Sequence, residues 1–128
     1  MFQTMKALKR IFVACSAGLI FASCGVTAAP QVEPDESGII DPELASGREI
    51  WGVHCTSCHG SSGQGGRGKQ LNNGELASKY PDPVLIIELI QNGQGQGMPA
   101  FSSKLNVKET ESVVRYILEV LNLSLIHI

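Results

Sequence analysis

Three helix-start signals, long glycine-rich connections and the lack of any convincing alternating apolar run predict an all-α domain of three to four short helices. The folded part is expected over residues 41–122, behind a removable leader and a tether. Roughly 80 residues arranged in helices this short form a marginal apolar core, so something else should fill the middle.

The first helix opens in "DPELASGREIWGVHC". Asp41 is a good N-cap, and Pro42 suits the first helical position, where its missing N–H costs nothing. Leu44, Gly47, Trp51 and His54 then recur at helical spacing. The second helix repeats the signal in "DPVLIIELIQNG", with Asp82 as cap, Pro83 at N1 and Gly93 as the stop. It is apolar nearly all round, which predicts thorough burial. In the third, "NVKETESVVRYILEVLN", Asn106 and Glu109 have the spacing of a capping box. Val113, Ile117, Val120 and Leu121 make its apolar stripe, with Tyr116 alongside.

Ahead of the domain, Lys6, Lys9 and Arg10 precede the apolar run "IFVACSAGLIFA", the layout of a secretory signal peptide over residues 1–23. A short membrane anchor is the alternative, although the run is too short to span comfortably. "FASC" resembles a lipobox, which would make Cys24 a lipidated N-terminus; "TAA" at Thr27 to Ala29 would suit an ordinary signal peptidase. Lipidation is the favoured route. Residues 24–40 are rich in Pro, Glu and Ser and read as a flexible tether. The sixteen residues after Cys24 would have an r.m.s. reach of about 20–25 Å.

Beyond Cys24 the chain keeps all 12 acidic residues but only 7 of the 10 Lys and Arg, so its net charge is near −5. Nucleic acid is excluded as a partner, because binding phosphates needs a basic surface. The same acidity points toward a basic docking face on the partner.

Four cysteines reduce to two in the mature chain, Cys55 and Cys58 in "WGVHCTSCHG". Such a pair can be a redox dithiol, part of a zinc site or a haem attachment point. Zinc requires four ligands, and Cys55, Cys58 and His59 lack a well-placed fourth. A thioredoxin-like dithiol requires a βαβ setting, and here the pair follows a helix. "CTSCH" instead has the spacing of covalent haem attachment. In a turn of helix the two sulfurs share a face and can meet the two vinyl groups on one haem edge. His59 then offers a neutral imidazole to the iron. For the opposite side the mature chain holds one thioether, Met98, in the loop "GQGQGMPAF". A core-filling Met is the alternative role.

From Glu43 to Leu121 the chain resembles a class I c-type cytochrome: "CTSCHG" matches the attachment motif, "GMPAF" the loop of the sixth ligand, and "VVRYILEVL" the C-terminal helix. The resemblance implies a small cytochrome c-like fold around one covalently attached haem c, with Cys55 and Cys58 as attachment sites and His59 and Met98 as iron ligands. It also implies that Gly47 and Trp51 pack across the last helix, with Tyr116 as the facing ring. Family members usually carry a proline whose carbonyl accepts the proximal histidine's N–H; in "GKQLNNG" that position is Lys69. The carbonyl remains, on a less stiff loop.

Nearby, "GQGGRGKQ" comes within one residue of a phosphate-binding loop, but Gln70 stands where Ser or Thr holds magnesium and no strand precedes it. Nucleotide binding is excluded.

A His/Met-ligated haem has no open coordination position, which favours outer-sphere electron transfer. The expectation is an exported, non-enzymatic electron carrier serving extracytoplasmic redox partners, periplasmic or on the outer face of a bacterial membrane. A haem c subunit of a larger dehydrogenase or terminal oxidase is the alternative, and peroxidase chemistry ranks last because nothing supplies a general acid over an open site. The tail "LSLIHI", residues 123–128, can be encoded by a transposon mosaic end used in sequencing libraries. It is read as translated adapter, with the native chain expected to continue past Asn122 and no ligand role for His127.

Overall fold

Two Asp-Pro pairs start helices as their sequence suggests. The Asp41 carboxylate accepts from the Glu43 and Leu44 backbone N–H groups at 2.8 and 3.2 Å, opening α1, Pro42–His54. Asp82 accepts from the Val84 N–H at 3.0 Å and opens α4, Pro83–Asn92. Between them lie two short helices, α2 at Thr56–His59 and α3 at Glu75–Lys79. Asn106 and Glu109 close a reciprocal capping box at the start of α5, Val107–Tyr116. The computed structural model describes residues 28–122; the expected signal peptide, Cys24 and the tail 123–128 with His127 lie outside the described residues.

The frame is the crossing of α1 over α5. Gly47 sits there because nothing larger fits: a Cβ on it would lie 2.1 Å from the Ser112 carbonyl oxygen and 2.9 Å from the Tyr116 Cβ. Beside this contact Trp51 and Tyr116 are wholly buried, their ring centroids 6.3 Å apart. Ile86 and Ile90 of α4, Phe101, Leu105, Val113, Val114, Ile117 and Leu121 complete the core. At the rim, the Arg115 guanidinium meets Asp41 at 2.9 Å, Glu43 at 2.8 Å and Glu119 at 2.9 Å. Arg115 holds the Asp41 carboxyl below the usual carboxylate range. Exposed pairs of this kind contribute at most about 1 kcal/mol each, so the crossing itself carries the stability.

Four features depart from expectation. α4 is not buried all round: Ile86 and Ile90 face the core, while Val84 and Leu85 are 52% and 44% exposed. It packs chiefly on α5, so its apolar composition exceeds the surface available to cover it. The C-terminal helix widens into a π-helical segment, Ile117–Leu121. That change of period puts Ile117 and Leu121 on the buried face and leaves Val120 only half-buried, while Val114, earlier in α5, is buried as well. The short α3 went unforeseen, since Gly74 at its N-cap supplies no capping side chain.

The fourth departure concerns the stretch read as a flexible tether. Val32 is part of the core. The Arg48 guanidinium donates to the Ala29 and Pro30 carbonyls, and the Tyr116 hydroxyl donates to the Pro30 carbonyl at 2.7 Å. Asp35 then organises a turn with Ser37 and Ile39. The polar composition concealed one apolar anchor and two carbonyls that satisfy buried donors from the helices.

Among the described residues no strand forms; Gln94 and Met98 make one isolated antiparallel bridge. No described helix is long and apolar enough to cross a membrane.

Candidate functional site

The cysteine pair lies where α1 gives way to α2. Cys55 ends α1, its N–H bonded to the Trp51 carbonyl at 3.0 Å, and Cys58 and His59 both return their N–H groups to the Cys55 carbonyl. This single turn holds Cys55, Cys58 and His59 together, as the motif suggested. Both thiols are free and half-buried. Burial, followed by the neighbouring Cys58, pushes the Cys55 thiol up to about 12. A redox dithiol works through a lowered thiol pKa, so this environment argues against that chemistry.

His59 is held from three sides. Its Nδ1 lies 2.7 Å from the Lys69 carbonyl oxygen, which can only accept. The proton is therefore on Nδ1, and Nε2 carries the lone pair. Gly68, just before that carbonyl, lies against the ring: a Cβ there would come within 2.7 Å of Cε1. The Trp51 ring stands 6.1 Å from the imidazole and is itself fixed by donating to the Ser61 carbonyl at 2.9 Å. The loop that looked like a phosphate cradle thus wraps the histidine, and the Gly68 N–H closes it onto the Cys58 carbonyl at 2.8 Å.

Met98 is half-buried on a separate loop whose neighbouring residues, Gln94 to Gly97, Pro99 and Ala100, are exposed. That loop is fastened to the end of α4. Phe101 and Ser102 donate to the Ile90 and Gln91 carbonyls at 3.0 and 3.2 Å, and Gln94 donates to the Met98 carbonyl at 2.9 Å. Helix-end carbonyls that would otherwise need water are capped by the loop itself. Gly93 makes the close approach, for a Cβ on it would sit 2.7 Å from both the Met98 carbonyl oxygen and the Ala100 nitrogen. The His54 ring meets Phe101 edge-on at 6.0 Å, joining the Met98 loop to the residue before Cys55.

Sequence reasoning had Gly93 only as a helix stop and passed over Gly68. The available signal was position: each glycine lies within a few residues of an expected ligand or of the carbonyl that orients one.

A family model described as "Cytochrome C oxidase, cbb3-type, subunit III" matches residues 42–117. The chain belongs to the cytochrome c family. As a c-type cytochrome it carries covalently bound haem c with its iron. Cytochrome c6 of Leptolyngbya boryana is 33% identical over 79 residues, covering 60% of this chain and 92% of that protein. The cbb3-type cytochrome c oxidase subunit FixP of Azorhizobium caulinodans is 31% identical over 85 residues, covering 59% of this chain but 27% of that subunit. Among solved structures, cytochrome CL from the marine methylotrophic bacterium Methylophaga aminisulfidivorans MPT aligns with a TM-score of 0.57 at 21% identity. The alignment covers 62% of this cytochrome and 54% of that chain, a likeness of fold alone. The small all-α cytochrome fold expected from the sequence is the one found.

Proposed function

We propose that Cys55 and Cys58 hold the haem through two thioether bonds, that His59 Nε2 and the Met98 thioether are its axial ligands, and that the protein is an electron carrier between extracytoplasmic partners. The observation that carries this reading is the His59 Nδ1 contact with the Lys69 carbonyl, because it leaves Nε2 as the metal-binding nitrogen. The residues present suit the group in other ways too. Two free thiols share one turn with that histidine, and Leu71, Leu76, Tyr80 and Ile87 offer half-buried apolar surface beside the core.

The chemistry supplied by bound haem c is one-electron exchange between ferrous and ferric iron. This chain's part is to orient and to exclude water. The Lys69 carbonyl draws on the Nδ1 proton and so makes His59 a better donor. The fastened Met98 loop would offer a thioether to the iron, and a thioether ligand raises the reduction potential. Export through the leader and lipidation at Cys24 complete the proposal, with docking to redox proteins at an outer membrane face or in the periplasm. A second reading, a haem c subunit of a larger oxidoreductase, is favoured by the family description and by the FixP match.

Protein made in a host with haem-attachment machinery keeps its pigment through denaturing gel electrophoresis; loss of the pigment there sinks the covalent assignment. Met98→Ala lowers the reduction potential and opens the ferric iron to cyanide. A variant matching wild type in spectrum, potential and cyanide binding would mean that another residue occupies the sixth position.

A further inference from the structure

The π-helical turn Ile117–Leu121 ends on Asn122, whose side chain makes three hydrogen bonds. Its Nδ2 donates to the Ile117 carbonyl at 2.7 Å and to the Leu71 carbonyl at 3.1 Å, and its Oδ1 accepts from the Gly74 N–H at 2.9 Å. Carbonyls only accept and an N–H only donates, so a single orientation of the amide serves all three partners. The first bond holds the side chain against its own helix; the other two reach a distant segment. The wider period of the turn sets Asn122 back around the axis from where an α-helix would carry it, and π turns are frequent beside functional sites.

Both outward bonds land on the loop that orients His59. Leu71 is two residues past Lys69, whose carbonyl oxygen lies 2.7 Å from His59 Nδ1. The Leu71 N–H donates to the Gly63 carbonyl at 2.8 Å, and a Cβ on Gly63 would lie 3.1 Å from the Leu121 side chain. Two arms of the loop thus rest on the end of the last helix. Residues 69–71 belong to no helix, so tertiary bonds of this kind set where their carbonyls point.

We infer that Asn122 is a positioning residue for His59: by holding the Leu71 carbonyl and the Gly74 N–H, it keeps the Lys69 carbonyl on Nδ1 and so sets how strongly the imidazole binds iron. This rests on the haem ligation proposed above. A carbonyl partner raises the basicity of a ligand histidine, but only while its own segment is held still. Without the amide, residues 69–71 drift, the Nδ1 hydrogen bond lengthens and His59 becomes a weaker donor. Ferric iron gains more from a strong donor than ferrous iron does, so the reduction potential rises.

The test uses the holoprotein with Asn122→Ala and the nearly isosteric Asn122→Asp, which keeps the acceptor for Gly74 and removes both donations. In the ferrous state each variant exchanges the His59 Nδ1 proton with solvent several-fold faster than wild type, read by heteronuclear NMR, and each has a higher potential. Met98→Ala moves the potential the other way. Asn106→Ala breaks the capping box at the opposite end of α5; it lowers stability in urea and leaves the Nδ1 proton and the potential near wild type. Asn122 variants that unfold earlier in urea with both readouts unchanged would overturn the inference and leave Asn122 a clamp on the helix end. An Asn106→Ala protein that shifts both readouts equally would overturn it too. Wild-type His59 ring protons without any haem ring-current shift would instead overturn the ligand assignment itself, whatever the variants do.

Discussion

Gly47→Ala destabilises the cytochrome by about 3 kcal/mol, near the upper end for overpacking a close contact. The added Cβ would meet the Ser112 carbonyl oxygen at 2.1 Å, and backbone cannot swing aside as a flexible side chain would. α1 and α5 must therefore separate, and Trp51 and Tyr116 lose their mutual packing. Gly52→Ala, on the same helix, is the matched comparison. A Cβ there meets nothing within 4 Å, so helix propensity alone acts and stability rises by about 0.5–1 kcal/mol. Urea unfolding of the two ferric holoproteins reads both changes. Similar midpoints for the two variants would show that the crossing tolerates a methyl group.

The second large effect is read at the iron. With Met98 as the sixth ligand proposed above, Gly93→Ala is expected to detach it: the sulfur-to-iron charge-transfer band would fade, the potential fall and cyanide bind. Gly93 has φ +76° and ψ 175°, a conformation essentially confined to glycine, and its Cβ would press on the Met98 carbonyl and the Ala100 nitrogen. Gly95→Ala also strains a left-handed glycine, at φ +60°, but in open space. It loses stability by about 1 kcal/mol and should leave the proposed methionine ligation in place. Should the band survive equally in both variants, Gly93 is a helix stop and nothing more.

These two glycines illustrate what the sequence made legible. Helix starts were readable because Asp41-Pro42, Asp82-Pro83 and Asn106 with Glu109 act through neighbours in the chain. The cysteine turn was readable for the same reason. Lys69 could be placed only through the resemblance, and its backbone carbonyl then needed no particular side chain to do the work. Contacts between distant segments left no local mark. Arg48 reaching Pro30, Gly93 under Ala100 and Asn122 bridging the Leu71 carbonyl and the Gly74 N–H all depend on folding having already occurred. The π-helical segment was hidden too, since its period is imposed by what Ile117 and Leu121 must reach.

The docked stretch at Ala29 to Val32 changes what an anchor on Cys24 would mean for electron delivery. A free run of sixteen residues extends at most about 50–60 Å, whereas the five steps from Cys24 to Ala29 extend at most about 18 Å. Confining the domain to roughly a third of the radius raises its local concentration near a membrane-embedded partner on the order of 30-fold. Such a protein no longer samples the compartment it faces. Its turnover would follow lateral diffusion of the lipid in the bilayer, and would stay the same when the soluble volume around it is diluted.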